Sequence, residues 1–268
     1  MQAGNVASIV GSVQMPTVQH LLSGSLDSYR TAIQELSKDT DPAQWAGMHV
    51  ILGAALRLRA PRLNDDERAE TCLEVIHSFE AALAVCWQRK TARSLRQSRV
   101  GTSPFSLQTN GGASVSDGVQ MVVDAVKVPV SEGNELIERA IRMFRSTAAN
   151  ADRKSELRAW VIARSNLGCA LTLLGRRTPG IAGVPLLEEA IDVLQDACSP
   201  KAGEDLQEER ASTHVNLAEA YQALAERGMP GERLRCIEQA VNWMAAALGY
   251  FAPVEYRWLL QLERASFA

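Results

Sequence analysis

Apolar residues recur at helical spacing along most of the chain, and the stretch from Ser155 to Cys198 shows the pattern most plainly. Ala163, Leu167, Ala170, Leu171 and Leu174 fall three and four apart, which places them on one side of a helix. The turn GRRTPGIAG follows, and Leu186, Leu187, Ala190, Ile191 and Leu194 then make a second stripe. Two stripes joined by a turn rich in Gly and Pro predict an antiparallel helix hairpin. Nearer the start, Ser25 caps an expected helix through Leu26, Tyr29, Ile33 and Leu36. Asp41 and Pro42 open a second, through Trp45, His49, Leu52 and Leu56. Pro61 and the run Asn64-Asp65-Asp66 end it and cap a third, with Leu73, Ile76, Phe79 and Leu83 on one face. Residues 1–24 lack a sustained period and read as a flexible tail. Pro253 opens an expected last helix, Val254 to Phe267, whose Trp258, Leu262 and Phe267 would cover the end of the array.

The hairpins repeat one another. WAGMHVILGAALRL (45–58) aligns without a gap on WVIARSNLGCALTL (160–173), and the Trp, the Leu-Gly pair, the Ala-Leu pair and the final Leu coincide. A third copy, RASTHVNLAEAYQAL (210–224), keeps Asn-Leu and replaces Gly by Ala. In the second helices IERAIRMF, LEEAIDVL and IEQAVNWM put alanines at 140, 190 and 240, and Ala32 and Ala81 fit the same role. Periods near 50 residues predict a solenoid, in which each unit touches only its neighbours. The pattern stops between residues 89 and 116. There Arg89, Lys90, Arg93, Arg96 and Arg99 are followed by PFSLQTNGGASVS, so a basic, low-complexity loop is expected. Val119, Val122, Val123 and Val126 then mark a degenerate first helix.

NLGCAL, NLAEAY and the spaced Ala-Ile pairs resemble tetratricopeptide repeats, in a stretched bacterial form with tryptophan opening the first helix. The resemblance covers about residues 26 to 248, and its unit is longer than the family's 34 residues. It implies an all-α fold over residues 25–268: an α-solenoid of antiparallel helix hairpins wound as a right-handed superhelix. It also implies a scaffold or adaptor that holds a peptide or helix of another protein in a concave groove lined by first helices. Asn166 and Asn216 hold the same place in two copies, and an amide there suits the backbone of an extended peptide. The other reading has each Asn bonding the neighbouring hairpin. Arg57, Cys169, Thr172, Glu219 and Gln222 lie farther along that face as further groove candidates. An alternative function is a regulator that senses a small molecule or signalling peptide.

Composition narrows this picture. Apolar residues make up 46% of the 268, carried by aliphatics more than by the 5% of aromatics, as helix-on-helix packing favours. A net charge of -3 and a pI near 5.9 give no global attraction to nucleic acid. The five cysteines are odd in number, never spaced as CxxC and set within helical patterns, which predicts free thiols in a reducing compartment. No run approaches the ~20 apolar residues of a membrane span, and residues 1–25 carry no Lys or Arg, so a cytoplasmic protein is expected. The four histidines show no ligand spacing, Gly175–Gly183 is no phosphate loop, and Glu188-Glu189 and Glu208-Glu209 point to different sides of their helices. Cys169 lacks a partner base. No enzyme, cofactor or metal is expected.

Overall fold

The computed structural model of the chain describes residues 26–94, 113–199, 206–228 and 230–251. Among them it has nine α-helices and no strand: α1 Leu26–Glu35, α2 Pro42–Arg59, α3 Asp65–Ser94, α4 Ala113–Ala125, α5 Val130–Asn150, α6 Leu157–Arg177, α7 Val184–Cys198, α8 Gln207–Ala225 and α9 Pro230–Phe251. The expected tail and C-terminal helix lie outside the described residues. The chain divides into two compact units, Met1–Pro104 with Met244–Ala268, and Phe105–Trp243.

In the first unit α1 packs on α2 and α2 on α3. Pro42 opens α2, and the Asn64 side chain caps α3 by accepting from the Glu67 amide at 3.0 Å. Trp87 of α3 meets Phe251 of α9 edge-on, with ring centroids 4.9 Å apart. In the second unit α4 packs on α5, α5 on α6, α6 on α7 and α7 on α8, while α6 also lies against α8. Their apolar faces close on one core that includes Ile137, Phe144, Ile162, Leu167, Leu171, Leu194 and Leu217.

One close approach recurs. A Cβ on Gly53 would stand 2.4 Å from the Phe79 ring, one on Gly118 would stand 2.6 Å from the Phe144 ring, and one on Gly168 would stand 2.3 Å from Leu194 Cγ. Each pair is 26 positions apart, so three hairpins cross in the same register, with a missing side chain on one helix admitting a large one from the other. This register corrects the alignment at Ala81. Val75, fully buried four residues before Phe79, stands where Ala140 stands before Phe144, whereas Ala81 is half-buried. The sequence match had followed an Ala beside apolar residues and slipped by six positions.

A second recurring device ties first helices together. Arg177 at the end of α6 reaches back to donate to the Ala125 carbonyl of α4 at 3.1 Å. Fifty positions on, Arg227 donates to the carbonyls of Gly175 and Arg176 at 3.0 Å and of Thr178 at 3.4 Å. The last carbonyls of a helix have no partner within it, and a cation also suits the negative end of the helix dipole. Gly133 and Gly183 make room for these arginines: an added Cβ would stand 2.5 Å from Arg177 Nη1 and 3.3 Å from Arg227 Nε, respectively. In the first copy Arg62 turns onto its own helix and donates to the Leu58 carbonyl at 2.7 Å.

The interruption expected over residues 89–116 is shorter at both ends. α3 continues to Ser94 and α4 begins at Ala113, because QRKTARS contains no Gly or Pro to break the helix. The side chains of the basic run Arg89 to Arg99 lie outside the described residues.

Candidate functional site

Six of the seven groove candidates fall in the second unit, on α6 and α8; Arg57 is buried in α2 of the first unit. Asn166 is 0% and Asn216 1% exposed, so neither amide faces solvent. Asn216 Nδ2 donates to Ser165 of α6, at 3.0 Å to Oγ and 3.3 Å to the carbonyl. Its amide therefore bonds the neighbouring hairpin. Thr172 is buried as well, and its hydroxyl donates to the Gly168 carbonyl of its own helix at 2.9 Å. A buried amide between apolar helices fixes their register, since any slip would leave it unpaired. Asn216→Ala should destabilise the chain by about 1 kcal/mol, read by urea unfolding. Unchanged stability would show that the bond contributes nothing.

Glu219 and Gln222 are half-buried, and with them the α6–α8 surface reaches solvent. Arg176 is exposed and donates to the Glu219 carbonyl at 3.3 Å, which brings the two helices' outer faces together. Leu173 and Cys169 stand one and two turns before Arg176 on the same side of α6, and both are half-buried. The result is a strip of mixed chemistry: a thiol, an aliphatic side chain and a guanidinium on α6, a carboxylate and an amide on α8. Nearby, the Tyr221 hydroxyl accepts from Gln195 Nε2 of α7 at 2.9 Å, and burial raises its pKa.

Two of the thiols are quiet. None of the five cysteines is in a disulfide, and burial pushes Cys198 up to about 12 and raises Cys236 despite Arg235 beside it, so neither of these two is a thiolate nucleophile near neutral pH. Among the described residues no three His, Cys, Asp or Glu side chains gather to hold a metal, and no helix is long and apolar enough to cross a membrane.

Two features escaped sequence reasoning. The Arg177 and Arg227 ties were signalled only by arginine at one place in the turns GRRT and ERG. Leu173 carried no signal beyond being the last leucine of the aligned motif WVIARSNLGCALTL. The chain matches no protein-family model, no curated protein and no solved structure.

Proposed function

We propose that the chain is a tetratricopeptide-like α-solenoid, wound right-handed, that works as a non-enzymatic protein-interaction scaffold in the cytoplasm. Its partner is a peptide or helix segment of another protein, held along first helices. The observation that carries this reading is the α6–α8 strip. First helices lie side by side, and Cys169, Leu173, Arg176, Glu219 and Gln222 offer one aliphatic contact among hydrogen-bonding groups of both signs. Such a surface suits an extended or helical peptide, whose backbone and alternate side chains need both kinds of contact. The common 26-residue crossing register and the 50-residue step between arginine ties support the repeat reading. Five cysteines outside any disulfide fit a reducing compartment.

A photo-crosslinking residue placed at Leu173 tests the scaffold in its native cell. The expected result is one protein adduct that mass spectrometry maps to a short segment, lost on Gln222→Ala and absent when the crosslinker replaces Glu138 on α5. Equal labelling from both positions, or a retained small molecule in place of a protein, overturns the proposal.

A further inference from the structure

The crossing register lets the hairpins α2/α3 and α6/α7 be laid on one another, Gly53 upon Gly168 and Phe79 upon Leu194. Trp45 then corresponds to Trp160, Lys38 to Arg153, His49 to Arg164 and Ala81 to Asp196, all at the same shift of 115 positions. In the later copy the tryptophan is held between two guanidiniums, Arg153 at 4.0 Å and Arg164 at 5.6 Å from the ring centre. Asp196 receives a hydrogen bond from each, at 3.1 Å from Arg153 and 2.7 Å from Arg164. Two permanent cations share one carboxylate, and neither guanidinium gives up its charge at any ordinary pH.

The earlier copy keeps the tryptophan and changes everything around it. The Lys38 ammonium stands 5.2 Å from the Trp45 ring, and the His49 imidazole meets Trp45 edge-on with centroids 4.1 Å apart. Both imidazole nitrogens are buried without a hydrogen-bond partner among the described residues. At the register of the Asp196 carboxylate α3 carries only the methyl of Ala81. Lys38, from the turn between α1 and α2, is the charge that acts on His49; α2 itself contributes Trp45.

We propose that Lys38, Trp45 and His49 form a proton-sensitive clasp at the entry to α2, closed while His49 is neutral and opened when His49 takes up a proton. A protonated imidazole there would be a second cation beside Lys38, buried, with no carboxylate to receive its N–H groups. Burial, with Lys38 adding to it, accordingly holds His49 down to about 4, well below the ordinary histidine value of 6.5. Because the unfolded histidine binds its proton first, the clasp is at full strength above pH 6.5 and weakens as the pH falls toward 4. Opening would free the amides of Asp41 and Trp45, which now donate to the carbonyls of Ser37 and Asp41 at 2.8 and 3.0 Å.

The full chain tests this by following the His49 ring signals by NMR while amide exchange is recorded at Asp41 and Trp45. His49 should titrate near 4, and protection of the two amides should fall about tenfold for each pH unit from 6.5 down to 4. His49→Gln, which cannot charge, should keep that protection through the range. Ala81→Asp, which restores the later copy's carboxylate, should move the His49 titration upward and hold the corner closed in its charged form. A histidine that titrates near its ordinary value, or a His49→Gln chain that opens at the same pH as the parent, would overturn the clasp.

Discussion

Gly168→Leu is expected to cost about 3 kcal/mol of folding stability, the upper end for an overpacked core. The first atom of the new side chain would fall 2.3 Å from Leu194 Cγ and 2.6 and 2.8 Å from its methyls, in a place where Leu194 is fully buried and has no free direction to move. Leu194→Ala alone leaves a cavity and should cost about 2–5 kcal/mol. Combining them should cost clearly less than the two added together, because the added leucine occupies the space that Leu194 vacates. Urea unfolding of the parent, both single variants and the double variant reads all three numbers. Additive costs would mean that the two residues do not meet and that α6 crosses α7 elsewhere.

Arg227→Ala should lower stability by about 2 kcal/mol, the scale of charged hydrogen bonds lost from partly buried carbonyls. Four carbonyls lose a donor together: Gly175, Arg176 and Thr178 at the end of α6, and Ala223, which accepts from Nη1 at 3.2 Å. Lysine should recover little, because one ammonium on a flexible stem cannot reproduce the planar fork that spans these acceptors. Gly183→Ala supplies the complementary measurement, since its Cβ would stand 2.4 Å from the Gly175 carbonyl. If Arg227→Ala unfolds at the parent's urea concentration, the tie is ornamental and α8 is held on α6 by its apolar contacts and the Asn216–Ser165 hydrogen bonds.

Local chemistry was legible where one residue decides it. Asp41 with Pro42 did open α2, and Asn64 did cap α3, because both depend on backbone geometry within one turn. The all-helical character followed from periodicity. What could not be read was any feature that depends on how two helices meet. The Leu-Gly pairs marked where small residues lie, yet only the crossing shows that Gly53 accommodates Phe79 and that Val75 rather than Ala81 stands beside it. The same holds for the candidate site. Asn216 and Leu173 have side chains whose chemistry suggests the opposite of their placement: the amide is buried on Ser165 and the leucine reaches the surface.

The ring contact between Trp87 and Phe251 makes the first unit a product of both halves of the chain. Residues of the second unit are all synthesised between those two, and its arginine ties span no more than 52 positions, so it can gather its core while the ribosome is still adding residues. The first unit has to wait. Until Phe251 has left the exit tunnel, the Trp87 end of α3 lacks the ring it meets in the finished protein.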